Sequence, residues 1–340
     1  MKKALDILRR IGGTILLPVA MYLIMYLICS ADATGKAIRV FSNAKALLMK
    51  LPELAVTVSC AMGIGLQFKN GRFDFSGGAI MLLATIIAGN AGLATQSGAV
   101  FAVTAVVSCV ALSVLVALVY VYGRLPIMIA TIGMALVYEA ITSFGFGGGV
   151  NLVSVSYIKS LSVYPMVLLP LIAAVLVYAF YNYLSVSGKR SLLLARNQQA
   201  GVNIGINENR EVIISYVYSG LIFGFATIVW ASLAKRDASF SSLSTVSALF
   251  SNILPVFVGL YIGAFCGDTI GIIMASIAIV LMKFGLTTVL KGTMGEAVST
   301  AMMGLFVFVV NFVAGQSQGI KKLFLRLLRA MTATHGSAKA

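Results

Sequence analysis

Ten apolar runs, each about as long as a bilayer is thick, constrain this chain more than any other feature. They lie near 11–30, 51–68, 76–93, 99–122, 126–146, 164–184, 212–233, 245–266, 269–290 and 296–316. A helix needs about 20 predominantly apolar residues to cross a hydrocarbon core. None of the runs shows the alternation of a half-buried strand, so each satisfies its backbone hydrogen bonds only as a helix. Charged residues make up 10% of the chain and hydrophobic ones 60%, too little polar surface for a soluble fold of this size. The expected class is an all-α polytopic membrane protein with about ten transmembrane helices.

An even number of spans puts both termini on one side. With the termini inside, the inner segments hold about twice as many of the 25 Lys and Arg residues as the outer ones. Positive residues gather on cytoplasmic loops, so the N- and C-termini are both expected in the cytoplasm. The net charge of +15 then reflects loops facing anionic headgroups. No basic run is interleaved with exposed aromatics, and nucleic acid is not expected as a partner. The apolar run from Ile11 to Cys29 is long for a signal peptide and suits a first span. We read 1–320 as one transmembrane domain and 321–340 as a basic cytoplasmic tail.

The chain carries little that could do chemistry. Cys29, Cys60, Cys109 and Cys266 fall in apolar stretches without metal-ligand spacing and read as buried free thiols. The only histidine, His335, sits in the polar tail. A phosphate cradle needs GxxxxGK[ST]; near Gly188-Lys189 the first glycine position holds Tyr183 and Arg190 follows the lysine. No metal, cofactor or catalytic set is expected on this chain, and any ATP hydrolysis would belong to a separate subunit.

Polar residues inside apolar runs are few and mark function or helix contacts. Glu139 is the deepest carboxylate, read as a cavity-lining or ion-linked group or as a paired one. Lys283 marks a function or snorkels toward the outer end of its span. Gln67, Asn90 and Asn252 line a pathway or bond between helices. Gly259, Gly263, Gly267 and Gly271 recur every four residues, the spacing of a close helix contact or a hinge. The ladder crosses a turn at Gly267-Asp268, so it is not one straight face. The longest polar stretch between spans, 185–211, has its own helix-forming residues; it should fold into short helices and offer a cytoplasmic partner a grip.

Three stretches carry a resemblance to a known family. NGRFDFSGGAIMLLA (70–84) resembles the GG-I-DLS-VGS segment of the membrane permeases of ABC importers for ribose and related sugars, with Gly71, Asp74, Ser76 and Gly78 in matching positions. FSNAKALLMKLPELAVTVSCAMG (41–63) is similar to that family's lead-in. The stretch 196–232, which opens at Arg196 of the proposed coupling loop, is the most specific, with Asn197, Ala200, Gly205, Ile206, Asn207, Arg210, Tyr216, Ser219 and Gly220 in matching positions. The superfamily also contains branched-chain amino-acid and nucleoside permeases. The glycine-rich segment before the family's penultimate span is represented here by VGLYIGAFCGDTIG (258–271), without its double glycine pairs and serine.

The resemblance implies a multi-pass permease in the plasma (inner) membrane that works by alternating access. It implies a cytoplasmic pair of ATPase subunits holding ATP and Mg, gripped at the coupling loop 185–211. It also implies a second permease chain, identical or not, and an extracytoplasmic substrate-binding protein. Its cargo would be a monosaccharide or similar small polar solute, and Gln67, Glu139, Asn252, Gly259 and Gly263 are candidates for pathway or helix contacts.

Overall fold

A computed structural model describes residues 2–32, 35–146, 149–239 and 243–290, with 298, 301 and 304–305 beyond them. The described chain is helical, apart from one isolated antiparallel bridge between Val150 and Arg236. In order, the helices are α1 Lys2–Ser30, α2 Lys36–Phe41, α3 Ala44–Leu48, α4 Leu51–Lys69, α5 Gly77–Thr95, α6 Gly98–Gly123, α7 Ile127–Phe146 and α8 Ser156–Lys159. They continue with α9 Leu168–Ala179, α10 Val186–Arg196, α11 Gln198–Asn203, α12 Glu208–Trp230, α13 Ser244–Cys266 and α14 Asp268–Val289.

Eight of these are long and apolar enough to cross a membrane, and nine if the bent pair Leu168–Leu184 and Val186–Arg196 counts as one span. Nine of the ten apolar runs thus correspond to helices. The tenth run, 296–316, and the tail 321–340 with His335 lie outside the described residues. The distribution of side chains is that of a membrane protein. Leu16, Leu27, Leu169 and Leu176 are more than 60% exposed, while Ser113, Thr131 and Glu139 are completely buried. A surface rich in large apolar residues around a core that accepts polar ones is stable against lipid, not water.

Small residues set the closest helix contacts. α6 and α12 run antiparallel, and a Cβ at Gly220 or Gly224 would lie within 2.8 Å of the Cα of Val110 or Val106. α13 and α14 form a tight hairpin about Gly267, whose φ of 95° suits glycine best. A Cβ at Gly259 would fall 2.5 Å from the Cα of Ile272, and one at Gly271 would fall 2.1 Å from the Gly259 carbonyl. The four-residue glycine ladder is therefore a packing device shared by two helices. Of the cysteines, Cys29, Cys60 and Cys109 are buried free thiols, whereas Cys266 is partly exposed.

Two irregular segments shape the bundle. Residues 70–76 leave the end of α4 and turn back inward before α5 starts. Ideal Cβ atoms on Gly63 and Gly77 would both lie 2.7 Å from the Phe223 ring. α5 therefore begins level with Gly63, six residues or about 9 Å short of the end of α4. The second irregularity ends the sixth apolar run, where Phe180–Leu184 is a π-helix and the chain then bends by 67° into α10. A Cβ on Gly188 would lie 2.0 Å from the Tyr181 carbonyl, so the bend closes because that residue lacks a side chain.

Candidate functional site

The stretch 185–211 folds into α10 and α11, two short helices as its composition suggests. Asn197 caps α11 by accepting the Ala200 N–H at 3.0 Å, and Asn207 caps α12 by accepting the Arg210 N–H at 3.2 Å. Asn, with a short acceptor side chain, suits both caps. Gly205 makes the turn between them at φ 87°, and Gln198 closes the segment by donating to Glu208 at 2.8 Å. Arg196, Asn197, Ala200, Gly205, Asn207 and Arg210 are all exposed, and Ile206 is half-buried. Val202 and Ile204 are also exposed, at 49% and 68%. The result is a small, stiff knob with two apolar side chains on its surface.

Polar contacts tie that knob to the bundle. Buried Glu211, in the first turn of α12, accepts from Ser187 and pairs with Arg190 at 3.4 Å. The turn at Gly71 lies against Ala195, to which an added Cβ would come within 3.5 Å. Asn70 donates to the Tyr181 hydroxyl at 3.0 Å. Buried Arg72 reaches across to α12, donating to Ser215 at 2.6 Å and to Gln67 at 3.3 Å. Asp74 folds back on its own turn and accepts the Ser76 N–H and hydroxyl at 2.8 and 2.6 Å. Lys69 pairs with Asp268 beside the α13–α14 turn. Gln67 and Arg72 thus meet Ser215 in one buried joint at the same end of the bundle as the knob, with Asp74 and Ser76 closing the turn beside it and Gly71 exposed against Ala195.

Glu139 occupies a second joint, higher in the bundle. It is fully buried and caps α13 from α7. One oxygen accepts the Leu243 N–H at 2.9 Å, and the other accepts the Thr245 N–H at 3.0 Å and its hydroxyl at 2.5 Å. A carboxylate suits the positive end of a helix. Leu243 sits at φ 57°, a strained position for a branched side chain, and the carboxylate holds it there. Gly78 packs at the same level, where a Cβ would lie 2.3 Å from the Thr245 carbonyl. Glu139 is thus a helix contact. Gln67 is also one, whereas Asn90 donates only within its own helix, to Ile86 at 2.9 Å.

The end of the bundle opposite the knob opens into two adjoining cavities of 240 and 450 Å³, which share Trp230, Arg236 and Asn252 as a wall. Asn252 is therefore the predicted polar residue that faces open space. The Arg236 guanidinium lies 3.5 Å from the centroid of the Trp230 ring, a cation–π contact. It also donates to the Trp230 carbonyl at 2.7 Å, while its Nε is buried without a partner. Burial lowers its pKa to about 10, leaving it charged at neutral pH. Backbone bonds of 2.8 and 3.0 Å to Val150 fix its position. Lys283 lines the larger cavity together with Lys50 and Glu53, and these last two pair at 3.1 Å.

The buried role of Arg72 and the stacking of Arg236 on Trp230 did not emerge from the sequence. A signal was available for the second, because Trp230 is the only tryptophan and stands six residues before a loop arginine. Compared with protein-family models and with the curated proteins, the sequence finds no match.

Proposed function

We propose that the chain is the transmembrane permease subunit of an ATP-driven, binding-protein-dependent importer of a monosaccharide or similar small polar solute. The observation that carries this reading is the exposed knob at 196–207, built from the residues that resemble the importer family and wired into the buried joint below it. In this reading both termini and the knob lie in the cytoplasm, and the cavities at Trp230 open to the other side of the plasma membrane.

The physics of the arrangement suits coupling. A partner that grips Val202 and Ile204 moves α10 and α11 as a unit, because Gln198–Glu208 and Glu211 with Ser187 and Arg190 fasten them to α12. Arg72 carries the same displacement to the 70–76 turn through Ser215. Tightly packed helices shift as rigid bodies rather than deform. Two such chains around one pathway would alternate between outward and inward openings, with ATP and Mg on the ATPase pair. An ion-coupled carrier is less well supported, because both oxygens of Glu139 are already engaged in capping α13.

Uptake in the native cells tests the reading. Labelled pentoses, hexoses, nucleosides and branched-chain amino acids are supplied to wild-type cells and to cells lacking this chain. The uptake lost on deletion is expected to vanish when arsenate drains ATP and to persist under a protonophore. Loss under the protonophore with ATP intact would assign the chain to ion-coupled transport instead.

A further inference from the structure

We infer that the cavities walled by Trp230, Arg236 and Lys283 bind the carboxylate or phosphate group of a small solute, so that the permease proposed above takes an acidic cargo. The inference rests on that permease reading for the word cargo, and on the cavity alone for the anion. Among the described residues lining the 450 Å³ cavity, Lys50, Arg236 and Lys283 face a single acid, Glu53. Lys50 already holds Glu53 at 3.1 Å. In the adjoining cavity Lys235 and Asp237 pair at 2.5 Å. Two cations remain, Arg236 and Lys283, and no described acidic side chain lies within ion-pair distance of either.

A cation held away from bulk water is costly without a counter-charge. Arg236 is also preset as a receptor. Stacking on Trp230 and the bond to its carbonyl fix the guanidinium plane. A fixed guanidinium matches the geometry of a carboxylate or phosphate better than that of a neutral hydroxyl. Ser251 on the same wall offers a neutral hydrogen-bonding group to a polyhydroxylated body. The volume lies within the range of small-molecule sites.

The lone tryptophan makes the site self-reporting. The full chain in phosphatidylcholine nanodiscs is titrated at constant ionic strength with ribose, ribose 5-phosphate and gluconate, following Trp230 emission. Ribose 5-phosphate or gluconate is expected to give a saturable change in the millimolar range, and ribose none. Lys283→Met should weaken that response about tenfold, the loss of one charge-assisted contact, and Lys283→Arg should restore it. An equal response to ribose, no response to either anion, or an unaltered midpoint in Lys283→Met would overturn the inference. So would a change that appears only when phosphatidylglycerol is added to the nanodisc, because the site would then be a lipid headgroup site. Any of these results, with arsenate-sensitive uptake intact, would remove the acidic cargo and leave the importer standing.

Discussion

Glu139→Ala is expected to destabilise the protein by about 3 kcal/mol, measured as the shift in unfolding midpoint during denaturant titration in mixed micelles. The carboxylate accepts two backbone N–H groups and one hydroxyl. Removing it leaves buried donors without partners, at about 1–3 kcal/mol each, and the surrounding structure recovers only part of that. It also frees Leu243 from the left-handed conformation that the carboxylate enforces. Glu139→Gln keeps one acceptor oxygen and should cost about half as much. If Glu139→Ala unfolds at the wild-type midpoint, Glu139 is not the anchor of α13. A Gln variant of wild-type stability that no longer transports would return the residue to an ion-linked role.

The paired substitution Val202→Asp with Ile204→Asp should have the largest functional effect. Both side chains are exposed on the knob, so the substitutions should leave the fold and the amount of protein in the membrane unchanged. An apolar pair at the centre of a docking surface contributes several kcal/mol to binding, and two carboxylates in its place oppose contact. Recovery of the ATPase with the tagged variant should fall more than about tenfold, and ATP-dependent uptake should fall with it. Wild-type recovery and uptake would show that the knob is not where the ATPase binds.

The parts of the fold legible in the sequence are those governed by local pattern. Nine helices stand where apolar runs of bilayer length stand, because no other structure satisfies the backbone there. The short helices of 185–211 follow from Ser185 and Asn197 as caps, with Gly205 turning the chain into α12. The glycine spacing at 259–271 was visible too, although it says only that something packs closely. What it packs against required the hairpin.

The joints were not legible, because their partners are far apart along the chain. Glu139 caps a helix that begins about a hundred residues later, with |i−j| of 104 and 106 for its bonds, and Arg72 bonds Ser215 at |i−j| of 143. Periodicity reports which face of a helix is buried, not which polar group waits on the neighbour. The same limit explains Asn252 and Gln67. Both are polar residues in apolar runs, yet one faces a cavity and the other binds Arg72 and Ser215. Arg236 and Trp230 belong to a loop and a helix end, and only the fold of the loop stacks them.

The most direct test is to purify the tagged chain from its native membranes in mild detergent and identify by mass spectrometry what comes with it. A P-loop ATPase is expected in stoichiometric amounts, together with a second permease chain or a second copy of this one. Recovery of the intact chain with no ATPase, from membranes in which it supports uptake, would contradict the central claim.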